Sequence, residues 1–228
     1  MRSAAAEAAP SDAEVSLADP GADPRSTFRL AIAPGPQPPL ELAVTTSVVG
    51  ADVAERAVRA RVTPVVGRPR ADGAWPVEIT VTAEAALVAR ATGRAYPTGA
   101  LALEIVEAAE GGAALALAVT SLVDPVPEAP FGAGARWTAT RALEEDGRRV
   151  TQVTWYEVVE RAPALVLRLQ REQRTPGEPP LTSDGEVRLF SDRLLPIGRL
   201  RVSYEDTVRI GDVRHTVRVE SVLEVRAP

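Results

Sequence analysis

Apolar and polar residues alternate along most of this chain, and the alternation is clearest near the C-terminal end. Along residues 199–210 one parity carries Leu, Val, Tyr, Asp, Val and Ile, while the other carries Arg, Arg, Ser, Glu, Thr and Arg. The same period of two resumes along residues 213–226. This period is typical of β-strands with one buried face. The Gly211-Asp212 pair between the two runs predicts a β-hairpin.

A two-residue turn fixes the register of this hairpin, and the charged side chains agree with that register. On the apolar face the predicted pairs are Ile210 with Val213, Val208 with His215, Asp206 with Val217, Tyr204 with Val219, and Leu200 with Leu223. On the other face Glu205 lies opposite Arg218 and Arg199 opposite Glu224, pairs that each stabilise by about 0.2–1 kcal/mol. Asp206 and His215 therefore become diagonal neighbours on the apolar face.

Further alternating runs, separated by Pro- and Gly-rich segments, predict an antiparallel β protein. The predicted strands cover residues 40–49, 58–63, 75–85, 135–143, 149–159, 164–174 and 187–190. In the middle of the chain, Leu115, Val119 and Leu122 recur at helical spacing and Pro125 follows, which predicts one short helix. A hairpin across Gly111-Gly112 is the alternative for residues 101–122.

These elements predict a mainly β fold, with two antiparallel β units that form a curved sheet or half-barrel joined by a short helix. We expect a first unit at residues 28–110, a connecting helix at 111–126 and a second unit at 127–228, all in one continuous domain. The two units suggest a duplication. Residues 1–27 are rich in Ala, Pro and Asp and lack a hydrophobic run. They are expected to be a disordered leader rather than a signal peptide or membrane span.

Composition narrows the possible chemistry. The chain has 228 residues, a formal net charge of −5 and 26 basic residues, all of them arginine, so a nucleic-acid-binding role is not expected. Cysteine and lysine are both absent from the sequence. Thiolate nucleophiles, disulfides and Schiff bases are therefore excluded.

The middle of the second unit carries a resemblance to a known family. Residues 127–137 read PEAPFGAGARW and residues 151–159 read TQVTWYEVV. This order resembles a family of uncharacterised bacterial envelope lipoproteins, a domain of unknown function. The resemblance implies an exported, mostly β domain anchored through a lipidated cysteine near its N-terminus, a residue that this chain lacks. A looser similarity is to lipoprotein-carrier proteins, which hold an acyl chain in a curved half-barrel capped by helices.

The candidate binding residues are Tyr204, Asp206 and His215, because polar groups on a buried face need partners. One interpretation is that Asp206 and His215 form a hydrogen-bonded pair in the core, or that this end of the hairpin is exposed to solvent. The alternatives are a polar contact in a ligand pocket and a general base oriented by a carboxylate. We expect ligand binding rather than catalysis, because no Gly-x-Ser-x-Gly nucleophile motif is present.

Other motifs point to structural roles. Gly132 and Gly134 precede an alternating segment rather than a helix, so a phosphate-binding loop is not expected there. The glycines are expected to allow close approach of the backbone, and Trp137 is expected in the core. The acidic turns at residues 144–147 and 184–186 lack a calcium-loop pattern, so no metal site is expected. Residues 167–174 alternate Leu with Arg or Gln, which predicts a solvated sheet face and, less strongly, an anion-binding face.

The sequence therefore predicts a non-enzymatic, exported binding module of the cell envelope without a cofactor. Its expected partner is a hydrophobic or lipid-like ligand. The alternative is a structural or protein-interaction domain without a small-molecule ligand. The expected location is extracytoplasmic, with no membrane span and with a membrane tether in the native precursor.

Overall fold

The computed structural model describes residues 13–49, 56–120, 122, 124–145, 148–210 and 213–228, with the backbone alone for residues 120, 144–145, 207–210 and 213–215. The elements are β1 (Glu14–Asp19), β2 (Gly35–Pro36), β3 (Leu40–Val48), β4 (Arg56–Val66), β5 (Trp75–Ala83), β6 (Ala86–Ala95), β7 (Leu101–Ala108), α1 (Gly112–Thr120), β8 (Arg136–Glu145), β9 (Arg148–Glu160), β10 (Leu165–Arg174), β11 (Leu181–Leu189), β12 (Ile197–Ile210) and β13 (Val213–Arg226).

The described strands form one antiparallel, curved sheet that is not closed. Their order across the sheet is β1-β8-β9-β10-β11-β12-β13-β3-β4-β5-β6-β7, and β2 pairs with β4. Pairing of β13 with β3, which places Val225 opposite Leu42, joins the two sets of strands. The predicted mainly β fold, with a short helix between two groups of strands, is confirmed.

Alternation of side chains gives the sheet an apolar inner face and a charged outer face. Buried inner residues include Leu42 on β3, Val62 on β4, Ile79 on β5, Leu167 on β10 and Leu223 on β13. On the outer face, cross-strand ion pairs such as Arg226 with Glu41, at 2.8 Å, stay exposed to solvent. Burial of the inner face supplies most of the driving force for folding, since exposed ion pairs stabilise little.

The short helix α1 covers the inner face of β5, β6 and β7. Its nine residues carry no charge, and Ala116 and Val119 are buried against the strands. Gly112 permits the close approach, because a Cβ there would lie 1.8 Å from the backbone oxygen of Val88. The predicted helix is confirmed, and the alternative hairpin is wrong because residues 112–120, which include most of its second strand, are helical.

One correction concerns the segment expected to be a disordered leader. Residues 14–19 form strand β1, which pairs with β8 and places Leu17 opposite Trp137. Val15 and Leu17 pack against the core, while Ser16 between them is exposed to solvent. Two apolar residues are too few to give a clear alternating pattern, so the strand escapes detection from sequence. Residues 1–12 lie outside the described part of the chain.

Two further strands differ from prediction for a common reason: their inner-face residues are small. Strand β6 presents Ala89, Ala91 and Ala95 to the core, and β11 presents Ser183 and Gly185 before Val187. Small residues alternate weakly in hydrophobicity, so β6 was not predicted and β11 was predicted to begin at residue 187 instead of Leu181. A Cβ at Gly185 would lie 2.1 Å from the backbone oxygen of Arg199.

The register predicted for the terminal hairpin is confirmed. Strands β12 and β13 pair Tyr204 with Val219, Asp206 with Val217 and Val208 with His215. On the outer face Glu205 lies opposite Arg218. The Gly211-Asp212 turn itself lies outside the described residues.

Candidate functional site

The three predicted site residues lie toward the free end of the terminal hairpin. Tyr204 is half-buried, and Asp206 is exposed to solvent. His215 belongs to β13 by its backbone pairing, but its side chain lies outside the described part of the structure. Asp206 is therefore not in a buried apolar environment, and contact between the Asp206 and His215 side chains stays a prediction.

Two open cavities lie elsewhere on the molecule. One, of about 590 Å³, is bounded by Arg149, Thr151, Glu172, Arg174 and the loop at residues 175–180. The other, of about 510 Å³, lies over β4, β5 and β6 and includes Gly67, Pro76 and Arg94. Neither cavity includes Tyr204 or Asp206. The position of these cavities gives no support to a ligand pocket at the predicted residues.

The inner face instead carries a buried cluster of polar and charged side chains, here called the Asp124 cluster. Its members are Asp124, Arg141 on β8, Thr154 and Tyr156 on β9, and Arg171 on β10. Adjacent strands bring the last four together, because the register places Arg171 directly opposite Thr154. Asp124 comes from the segment that follows α1 and is only 1% exposed.

Tyr156 holds Asp124 in place with two hydrogen bonds. Its hydroxyl donates to Asp124 Oδ2 at 2.9 Å and accepts from the Asp124 backbone N–H at 2.8 Å. Burial, reinforced by the negative charge of Asp124, raises the pKa of Tyr156 far above its ordinary value of 10.0. The phenol therefore stays protonated at neutral pH and can donate to the carboxylate.

The two arginines pair with different carboxylate oxygens of Asp124. Arg141 Nε forms an ion pair with Asp124 Oδ1, and Arg171 Nη2 lies 3.6 Å from Oδ2. Arg171 Nε donates to Thr154 Oγ1 at 3.1 Å. The side chains of Arg171 and Arg141 are 7% and 17% exposed, so both charges lie largely out of water. Removal of one partner from such a buried group of charges strongly lowers the free energy of unfolding.

Aromatic rings pack against Tyr156 of the cluster. Trp137, on β8, stacks on Tyr156 with ring centroids 5.1 Å apart, and Phe131 lies 5.4 Å from Trp137. Trp137 is 1% exposed, which confirms its predicted place in the core. Gly132 makes room for the chain as predicted, because a Cβ there would lie 1.7 Å from the backbone oxygen of Ala22.

Sequence reasoning missed this cluster, although one signal for it was present. Arg171 shares the parity of Leu167 and Leu169, which are buried, whereas Arg168 and Gln170 have the other parity and are exposed. An arginine in the buried parity predicts an internal partner. Asp124 gave no such signal because it lies in an irregular segment without periodicity.

The cluster can hold charge, but it offers little for catalysis. Asp124 is engaged by ion pairs and hydrogen bonds, and Tyr156 is kept protonated. Among the described residues, no three His, Asp or Glu side chains are grouped as a metal site requires. The described part of the chain also contains no helix long and apolar enough to span a membrane.

Comparison of the chain with protein-family models, with curated proteins and with solved structures gives no match.

Proposed function

We propose that this protein is a non-enzymatic binding module of the cell envelope that binds an extended segment of a partner protein at the edge of its sheet. The observation that carries this proposal is the open sheet, which ends at β7. An edge strand presents unpaired backbone N–H and C=O groups to which another chain can add a strand.

Strand β7 is better suited to this role than β1, the strand at the opposite edge. It has eight residues without proline, and within the described residues it pairs only with β6. Val106 on β7 is 47% exposed, and Leu117 on the adjoining helix is exposed as well. Strand β1 has six residues, and a register shift interrupts its pairing with β8 between Leu17 and Asp19.

A non-enzymatic role is supported by the chemistry of the inner face. The only buried carboxylate among the described residues, Asp124, is held by two arginines and a protonated tyrosine. Such a carboxylate is neither a free base nor an activated nucleophile. The extracytoplasmic location, and a membrane tether in the native precursor, belong to the same proposal and rest on the lipoprotein resemblance.

Crosslinking in the native host tests the proposal. A photo-crosslinking amino acid at Glu104, an exposed position of β7, is expected to give a discrete adduct whose protein component mass spectrometry identifies. The same amino acid at Ser16 on β1 and at Arg199 on β12 is expected to give none. Val106→Lys should abolish the Glu104 adduct, because a lysine on an edge strand opposes strand addition.

Val159→Lys is the matched control for Val106→Lys. Val159 is 45% exposed and lies on β9, which has neighbours on both sides. The control should leave the Glu104 adduct intact. The proposal is wrong if Val106→Lys and Val159→Lys, both folded by circular dichroism, retain the same adduct.

A second candidate function is the binding of a hydrophobic or lipid-like ligand on the inner face. The observation that favours it is the Asp124 cluster, a charged layer at the border of an apolar face. Native mass spectrometry of the purified chain separates the two candidates. An acyl ligand that copurifies would favour the second, and a clean apo mass together with the β7 adduct would favour the first.

A further inference from the structure

The Asp124 cluster contains more positive than negative charge. Two guanidinium groups, on Arg141 and Arg171, face the single carboxylate of Asp124. Tyr156 contributes no charge at neutral pH. Buried charges without a counter-ion are expensive, because the protein interior solvates them poorly. The cluster therefore has a place for one more negative charge.

Arg171 also has unused hydrogen-bonding capacity. Among the described residues, Arg171 Nη2 is buried without a hydrogen-bond partner, although it lies 3.6 Å from Asp124 Oδ2. A guanidinium carries five N–H donors in a planar fork, which matches the two oxygens of a carboxylate or phosphate. More than nine-tenths of the Arg171 side chain is buried, so bulk water does not readily serve these donors.

No neighbouring side chain supplies the missing charge within the described residues. The inner positions flanking the two arginines are occupied by Gln152 on β9 and by Gln173 and Ser183, none of them acidic. Ser183 lies directly opposite Arg171, and Gln152 lies directly opposite Arg141. Among the described side chains, those around the two guanidiniums are thus polar but uncharged, as suits the surroundings of a bound anion.

We propose that Arg141 and Arg171 together bind the acidic group of an external ligand, a carboxylate or a phosphate, on the inner face between β8 and β11. Arg141 is the more exposed of the two arginines, so solvent reaches the site from its side. The acidic group would supply a second negative charge, so that the two arginines would face two negative charges instead of one. This site is independent of the β7 edge and does not require a protein partner there.

Titration of the intact wild-type chain tests the site directly. Inorganic phosphate, acetate and dodecanoate are added separately at constant ionic strength, with chloride as the reference anion, and the guanidinium N–H resonances of Arg141 and Arg171 are followed by NMR. Saturable shifts of these resonances with at least one of the three probes are expected. Chloride alone should shift them weakly and without saturation.

The three probes distinguish the source of the acidic group. Saturation by phosphate or acetate identifies a small free anion as sufficient. Saturation by dodecanoate alone identifies the head of an acyl ligand, and it would link the site to the second candidate function. Identical responses to all three probes and to chloride would reveal ionic screening only, and the proposal would then be abandoned.

Variants separate this site from general surface charge. Arg171→Gln should weaken binding by about tenfold or more, because charged hydrogen bonds contribute strongly. Arg168→Gln is the matched control, since Arg168 lies on the same strand and is exposed on the outer face. It should leave the affinity unchanged. Equal affinities for wild type, Arg171→Gln and Arg168→Gln would contradict the assignment.

A third variant gives a readout even where Arg171→Gln does not fold. Asp124→Asn removes the internal carboxylate and leaves both arginines, so the thermal midpoint of this variant should rise more steeply with the bound probe than that of wild type. A purely structural cluster predicts a lower midpoint that no probe raises beyond chloride. That result, together with unshifted guanidinium resonances in wild type, would overturn the proposal.

Discussion

The inner face of the sheet is built differently at β4–β6 and at β8–β10. At β5 and β6 it consists of small and branched apolar residues, such as Ile79, Val81 and Ala91, and α1 packs on it. At β8–β10 it includes Arg141, Thr154 and Arg171, and the irregular segment carrying Asp124 covers it. A helix can pack closely on a smooth surface of small residues. Long polar side chains instead need a loop that brings specific partners.

The two sides of the inner face therefore depend on different forces. The α1 side is stabilised by close packing, which responds to side-chain volume. The Asp124 side depends on mutual satisfaction of charges, which responds to the loss of any one member. Substitutions on the two sides should therefore change the free energy of unfolding by different amounts. The changes should also differ in their dependence on pH and in their sensitivity to anions.

The largest effect is expected for Asp124→Ala. This change leaves Arg141 and Arg171 buried without their carboxylate, which should lower the free energy of unfolding by about 3–5 kcal/mol. Urea denaturation measures the loss. Asp184→Ala, at an exposed position of β11, is the control and should change stability by less than about 0.5 kcal/mol. Similar losses in both variants would show that the Asp124 side does not depend on charge satisfaction.

The next effect is expected for Tyr156→Phe, which removes the hydroxyl that bridges two groups of Asp124. Loss of a hydrogen bond to a charged, buried acceptor should cost about 2–3 kcal/mol at pH 7. Urea denaturation at pH 7 measures this cost. Tyr204→Phe, a half-buried tyrosine outside the cluster, should cost less.

The same pair of variants tests the pH dependence of stability. The pKa of Tyr156 is raised in the folded protein above the value of 10.0 that applies when the chain is unfolded. Above pH 10 the unfolded state therefore binds fewer protons, and stability should fall by about 1.4 kcal/mol per pH unit. Tyr156→Phe should remove this part of the slope, and Tyr204→Phe should keep it. A slope that is the same in wild type and Tyr156→Phe would rule out Tyr156 as its source.

On the α1 side, Gly112→Ala tests close packing. The added methyl would lie 1.8 Å from the backbone oxygen of Val88, so the helix must shift, at a cost of about 1–3 kcal/mol. Thermal unfolding measures the change. Ala114→Gly, at an exposed position of α1, is the control and should cost about 0.5–1 kcal/mol through backbone entropy alone. A neutral Gly112→Ala would show that the helix does not contact β6 closely.

The difference between the two regions also explains how much the sequence could predict. Long alternating runs predict β12 and β13. The turn and the charge pairs predict their register, in which Asp206 lies opposite Val217. Strand β6 was missed because its inner alanines alternate weakly with their neighbours. The Asp124 cluster was missed because its central carboxylate lies in an irregular segment, where contacts depend on tertiary structure and no periodicity exists.

The smallest effect is expected at the outer face, which serves as a reference for both regions. Glu157 pairs with Arg136 at 3.0 Å and with Arg168 at 3.4 Å, and both arginines are well exposed. Water and salt screen these pairs, so Glu157→Gln should lower stability by only about 0.2–1 kcal/mol, and less at high ionic strength. Urea denaturation at low and high sodium chloride concentration measures the loss of stability and its dependence on ionic strength. A loss as large as that of Asp124→Ala, insensitive to salt, would mean that outer-face charges also act as a buried network, and the contrast between the two faces would fail.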